Sequence, residues 1–276
     1  MSTILVFKYF PTLLAACNKE IPAGGLYCMP RGLEKNANQV NATPAAVWTS
    51  RYGSLVFCPE GEPEPIGGMN EAGLMIEQTP LSGTLYPNPP GLPAIGEQQL
   101  VQYLLDTCED VHEALLRLHN LNIQPADRPA HFLLVDRLGD MAVVEFLNKH
   151  MQIYRGSDLP LPVLVNLSYP AALAGKSNST ETRCDVDPGD FCCAQEAFDL
   201  AACLWEAFQS APVHPRRQAF AALDRLAGPE TTCQCVYDPA GLCVYLRLAD
   251  QSERQEIRLD ELDFSPDQLP KLITIQ

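Results

Sequence analysis

The chain of 276 residues is short of positive charge: 19 Lys and Arg stand against 34 Asp and Glu, a formal net charge of −15. Phosphate affinity comes mostly from Lys and Arg, so this balance argues against a nucleic-acid-binding face. It argues equally against adsorption to an anionic membrane surface. No apolar run approaches the ~18 residues of a membrane span. The sequence holds no internal repeat, no C-x-x-C, and none of the GxGxxG, P-loop, HExxH or GxSxG signatures. Its loops Pro59–Pro65 and Pro87–Pro93 are too short to link domains, so one domain over 1–276 is expected.

Cysteine is plentiful, at 11 residues. An odd count in so long a chain does not read as a disulfide framework. Cys192-Cys193 and Cys233-Gln234-Cys235 are the only close spacings, and no His stands at ligand distance from either. Buried, reduced thiols are the expectation. The five histidines (His112, His119, His131, His150 and His214) form no ligand pattern and are read as surface residues. No metal or organic cofactor is implied.

Residues 1–17 admit two readings. Leu14-Ala15-Ala16-Cys17 looks like a lipoprotein cleavage box, which would make the product periplasmic or lipid-anchored. Lys8 and Pro11 interrupt the apolar run such a leader needs. The rival is a β-hairpin: Ser2 to Phe10 is rich in β-branched and aromatic residues, Pro11 marks the turn, and Thr12 to Cys17 returns. A cytoplasmic protein follows from the hairpin. Loss of Met1 would then leave Ser2 with a free α-amine, which can act as the base for its own hydroxyl.

Further strands are expected at 46–57, 73–77, 131–135, 141–147, 151–154, 163–166, 232–237, 242–248 and 254–259. Turn signals lie at 137–140 and 238–241. Apolar residues at i, i+3, i+4 spacing predict helices over 97–105, 110–118, 191–208 and 216–226. Runs of strands separated by runs of helices imply an α+β layered domain.

Two segments carry a specific resemblance. Trp48-Thr49-Ser50-Arg51-Tyr52-Gly53-Ser54 followed by Gly68-Met69-Asn70-Glu71-Ala72-Gly73-Leu74 resembles, in order and separation, the paired motifs of the choloylglycine hydrolase and penicillin V acylase family. Pro30-Arg31-Gly32, the 131–136 and 143–146 hairpin, Asn166-Leu167-Ser168-Tyr169 and Thr232–Asp238 are similar to other stretches of that family.

The resemblance implies a four-layer αββα sandwich of two antiparallel sheets, the N-terminal nucleophile (Ntn) hydrolase fold. It also implies hydrolysis of a linear amide C–N bond in a small acyl-amide substrate. Bile-salt conjugates, penicillin V and acyl homoserine lactones are the family's substrate types, and its members are often homo-oligomers. By the same resemblance Ser2 stands at the nucleophile, where the family has cysteine. Cys17 stands at the place of an arginine, Glu20 at that of an aspartate, and Asn166 at the oxyanion-binding asparagine. Asn70, Pro80 and Arg183 fall at or near substrate-facing positions, and Glu196 near a further expected arginine. The scaffold motifs are kept while catalytic positions differ. Two outcomes therefore stay open: an active amidase, or a catalytically degenerate member that binds a ligand or partner.

Overall fold

The computed structural model describes residues 2–9, 12–20, 24–37, 44–126, 128–178, 193–208, 214–249, 251 and 253–274. In chain order its strands are β1 (Thr3–Tyr9), β2 (Thr12–Lys19), β3 (Gly24–Met29), β4 (Glu34–Asn36), β5 (Val47–Thr49), β6 (Ser54–Pro59), β7 (Gly67–Asn70), β8 (Met75–Pro80) and β9 (Ala94–Gly96). They continue as β10 (Asn122–Gln124), β11 (Ala130–Val135), β12 (Met141–Leu147), β13 (His150–Arg155), β14 (Val163–Leu164), β15 (Cys233–Asp238), β16 (Cys243–Leu248), β17 (Gln255–Arg258) and β18 (Lys271–Ile273). The helices are α1 (Leu100–Thr107), α2 (Val111–His119), α3 (Tyr169–Asn178), α4 (Ala194–Phe208) and α5 (Pro215–Leu226).

Two antiparallel sheets face one another. The first runs β14-β1-β2-β15-β16-β17, the second β13-β12-β11-β8-β7-β6-β3-β18. α4 and α5 cover the outer face of the first sheet, and α1 that of the second. This is the expected αββα layering. Because both sheets are covered on both sides, their strands read as near-continuous apolar runs. Ile4, Leu5, Val6 and Phe7 are all buried.

Strand alternation decides which layer each residue joins. In β11, Leu133 and Val135 enter the core shared with the first sheet, whereas Phe132 and Leu134 pack under α1 and α2. The hairpin reading of the N-terminus agrees with the structure: β1 and β2 pair from Thr3↔Asn18 to Tyr9↔Thr12. Both strands lie inside the six-stranded sheet, so a cut before Cys17 would remove β1 and most of β2. Pro11, the expected turn residue, lies outside the described residues. The helices grip this hairpin through polar ties as well as packing. Trp205 Nε1 donates to Val6 O at 2.9 Å, and Asn18 Nδ2 donates to Leu223 O at 3.0 Å.

The motif segments knit the second sheet to its helix layer. Trp48 Nε1 donates to Asp106 Oδ2 at 2.7 Å, and Lys35 Nζ reaches the same oxygen at 2.9 Å. Gly53 N donates to Glu71 Oε1 at 2.8 Å, while Arg31 bridges the other oxygen of Glu71 at 2.8 Å. Gly73, with φ +89°, closes the turn after β7 in a conformation that favours glycine. No described helix is long and apolar enough to cross a membrane.

The cysteines depart in part from the expectation of buried thiols. Cys17, Cys28, Cys58, Cys108, Cys233, Cys235 and Cys243 are free and buried. Cys193 is exposed, and Cys203 is disulfide-bonded.

Candidate active site

Ser2 sits just before β1, at the open end of the inter-sheet space. Its backbone nitrogen donates to Asn166 Oδ1 at 3.1 Å. Asn166 in turn donates from Nδ2 to Pro80 O, at 3.2 Å. One carboxamide thus links the chain start, the segment after β14 and the end of β8. Ser2 opens onto a cavity of about 420 Å³ lined also by Cys17, Asn18, Lys19, Glu20 and Pro80. Ile4, Ile66 and Ala130 supply apolar wall.

The register explains the composition of the cavity floor. Ile4 pairs with Cys17, and Thr3 with Asn18. Alternation then puts Cys17 and Lys19 on the face turned toward the second sheet. There Lys19 Nζ contacts both carboxylate oxygens of Glu77, each at 2.6 Å. The Tyr237 hydroxyl donates to the same carboxylate, and the ammonium lies 4.3 Å from the centre of the Phe57 ring. Burial works against the Lys19 charge, but Glu77 together with Cys17 and Cys235 outweighs it, so the ammonium is held well above its ordinary range. This cation was missed by sequence reasoning. Two signals pointed to it: a Lys of the same parity as Cys17, and a lone Glu77 between apolar Ile76 and the strand end.

A second buried polar group lies behind Asn166. His131 on β11 pairs with Thr79 on β8, and the neighbouring pair Phe132↔Val144 brings Glu145 alongside. His131 Nδ1 is 2.7 Å from Glu145 Oε1, and Nε2 is 2.8 Å from Val165 O and 2.5 Å from Thr79 Oγ1. Glu145 Oε1 also accepts from Tyr169 N at 2.7 Å. The row therefore fixes the residue before Asn166 and the helix start after it. His131 corrects the expectation of a surface histidine, being wholly buried. His112, His119, His150 and His214 are exposed as expected.

The sequence-derived site residues divide as follows. Ser2, Cys17, Glu20 and Pro80 line one cavity, and Asn166 is bonded to two of them. Cys17 is buried against Cys235, its partner across the strands. Its weakly hydrogen-bonding thiol cannot replace a guanidinium fork. Pro80 takes part through its carbonyl, not its side chain. Asn70 departs from its expected substrate-facing role. It is fully buried, its Nδ2 donates to Leu105 O and Cys108 O, and its Oδ1 accepts from Ala72 N and Leu74 N. Its hydrogen bonds join the turn after β7 to the end of α1. Arg183 lies outside the described residues; Glu196 falls in the first turn of α4. Among the described residues no group of three or more His, Cys, Asp or Glu is placed to hold a metal ion.

Comparison with solved structures gives the fold independently. Penicillin V acylase from Agrobacterium tumefaciens superposes with a TM-score of 0.81 at 22% identity, over 97% of this chain and 89% of that one. A variant of the conjugated bile acid hydrolase from Clostridium perfringens superposes with a TM-score of 0.79 at 17% identity, over 99% and 97% of the two chains. No curated protein sequence matches the chain. The family profile described as linear amide C-N hydrolases, choloylglycine hydrolase family, matches residues 26–166, which hold both paired motifs, the buried His131–Glu145 row and Asn166. Fold, motifs and profile agree: the chain belongs to the choloylglycine hydrolase family of linear amide C-N hydrolases.

Proposed function

We propose that the protein hydrolyses a small acyl amide with Ser2 as an N-terminal nucleophile. The observation that carries this reading is the 3.1 Å bond from Ser2 N to Asn166 Oδ1 beside the cavity of about 420 Å³. Once Met1 is removed, that nitrogen is an α-amine titrating near neutrality, within reach of its own hydroxyl. Ser2 Oγ attacks the substrate carbonyl and the amine takes the hydroxyl proton. The same proton passes to the leaving nitrogen as the C–N bond breaks. Water then attacks the acyl-serine ester and gives a proton to the amine, which returns it to Ser2 Oγ as the ester C–O bond breaks and the acid departs.

Asn166 serves twice. Its Oδ1 orients the amine, and its Nδ2 is a donor for the tetrahedral oxyanion in exchange for Pro80 O. Lys19 stands on the cavity floor, its charge balanced by Glu77. Glu20 lies at the cavity wall, where it orients the amine.

The test is intact-mass measurement followed by a hydrolysis screen. The screen covers phenoxyacetyl, phenylacetyl and longer acyl amides, with the Ser2→Ala variant beside the native protein. Loss of Met1 and abolition of hydrolysis in Ser2→Ala are expected. An unchanged rate in that variant would overturn the proposal. A second reading, ligand binding without turnover, is favoured by one observation: Cys17 offers a buried thiol where the family's arginine is expected.

A further inference from the structure

The charge lining the cavity bears on what it accepts. Among the described residues two side-chain cations face it beside the Ser2 amine, Lys19 and Arg128, and both are engaged. Lys19 is held by Glu77 through two contacts of 2.6 Å, away from solvent. Arg128 donates from Nη1 to Glu62 Oε2 at 2.8 Å and from Nη2 to the other oxygen, a two-pronged fork. Two further carboxylates, Glu20 and Glu60, line the same cavity.

A ligand carboxylate or sulfonate would have to displace Glu62 from the Arg128 fork beside Glu60, or Glu77 from a buried ammonium. Both exchanges leave a carboxylate without its partner close to the incoming anion. An ammonium meets the opposite situation. It has to break neither ion pair, and the four lining carboxylates outnumber the cations, an excess whose field the low-dielectric walls strengthen.

We infer that the cavity takes acyl amides of amines that carry a second, cationic nitrogen, of the acyl-diamine or acyl-polyamine class, and disfavours amides of anionic amino acids. This rests on reading the cavity as the amide site. It adds a charge preference that the fold and the nucleophile do not specify. The apolar wall of Ile4, Ile66 and Ala130 takes the acyl part, and the acidic rim takes the ammonium.

The experiment uses the Ser2→Ala variant of the full chain, which binds without turnover, and two amides of similar length and the same acyl group. Phenoxyacetyl-putrescine ends in an ammonium, and the phenoxyacetyl amide of 5-aminopentanoate ends in a carboxylate. Calorimetric titration should give at least tenfold tighter binding of the ammonium compound in low salt. The ratio should shrink in high salt and in a variant also carrying Glu20→Gln and Glu60→Gln. Equal affinity, tighter binding of the carboxylate, or binding of neither compound would overturn the inference.

Hydrolysis by the native protein is followed in parallel. Charge-selective binding with no hydrolysis of either amide removes the amidase reading and leaves the charge preference standing. Hydrolysis with the carboxylate compound preferred does the reverse.

Discussion

Lys19 and Glu77 form a buried ion pair across the two sheets, Nζ 2.6 Å from either carboxylate oxygen, with side chains 2% and 3% exposed. β2 supplies the cation and β8 the anion. The Tyr237 hydroxyl from β15 completes the cluster. The pair forms part of the cavity floor that Ser2 also lines, and it ties one sheet to the other.

Lys19→Met should destabilise the fold by about 3–5 kcal/mol, because it leaves Glu77 ionised and buried without its partner. Replacing both residues, as Lys19→Met with Glu77→Leu, should recover most of that loss. Urea denaturation midpoints of the three proteins decide it. A single-variant cost below about 1 kcal/mol would mean the pair is far better solvated than its geometry implies.

His131→Phe tests the polar row behind Asn166. The imidazole is the partner of Glu145 Oε1 and of Val165 O. Its loss should cost about 3 kcal/mol, because the buried Glu145 carboxylate then loses one of its two donors and keeps Tyr169 N. A companion Glu145→Gln keeps an acceptor toward His131 and Tyr169 N and should cost less. A measured order with Glu145→Gln the worse of the two would contradict this account.

For hydrolysis, Asn166→Ala should lower kcat by roughly 10²–10³-fold, the scale of losing one oxyanion donor. Asn166 is only half-buried, so its thermal midpoint should move little. Rate and melting temperature measured on the same preparation separate the catalytic effect from a structural one.

Gly53→Ala probes the motif segment. A Cβ there would stand 2.3–2.4 Å from Cγ, Cβ and Cδ1 of Phe264, atoms near the root of a buried ring. Overpacking of this kind costs about 1–3 kcal/mol. Gly228→Ala, whose Cβ would meet nothing within 4 Å, is the control and should stay within about 0.5 kcal/mol of the native protein.

The buried thiols set the alkaline limit. Burial pushes Cys58 up to about 11, and Cys108 and Cys233 to about 12, from an ordinary 9.0. Above pH 9 the unfolded chain releases these protons while the folded chain keeps them, so stability falls as pH rises from about 9 toward 12. The raised Lys19 acts in the same direction from pH 10.5 upward. Urea midpoints at pH 7, 9 and 10.5 should fall progressively, and Cys108→Ala should flatten the trend.

Much of the architecture was legible because the strands carry the right residue types. β11, β12, β15 and β16 were found to within a residue or so as β-branched and aromatic runs. β3 and β7 were not, because GGLYCM and GGMN lead with glycines that mask strand propensity. Their small size is needed: a Cβ on Gly68 would lie 2.4 Å from Leu55 O. α3 escaped because its segment, YPAALAGKSN, has no apolar stripe.

At the site, Ser2 and Asn166 were legible through the family motifs. Lys19 and His131 were not, since their meaning depends on which strand face they occupy, and sequence alone does not set that phase. A signal existed all the same: His131 and Glu145 each interrupt an otherwise apolar strand of one hairpin.

The Asn166 carboxamide works as a rivet between sheets. One end belongs to Ser2, just before β1 of the first sheet, and the other to the last residue of β8 in the second. A slip of the sheets by an ångström would stretch one bond or the other beyond hydrogen-bonding range. The Ser2–Asn166–Pro80 geometry is therefore a gauge of how the two layers are seated. Conservative repacking of the layer between them, far from Ser2, should dull catalysis before it measurably loosens the fold.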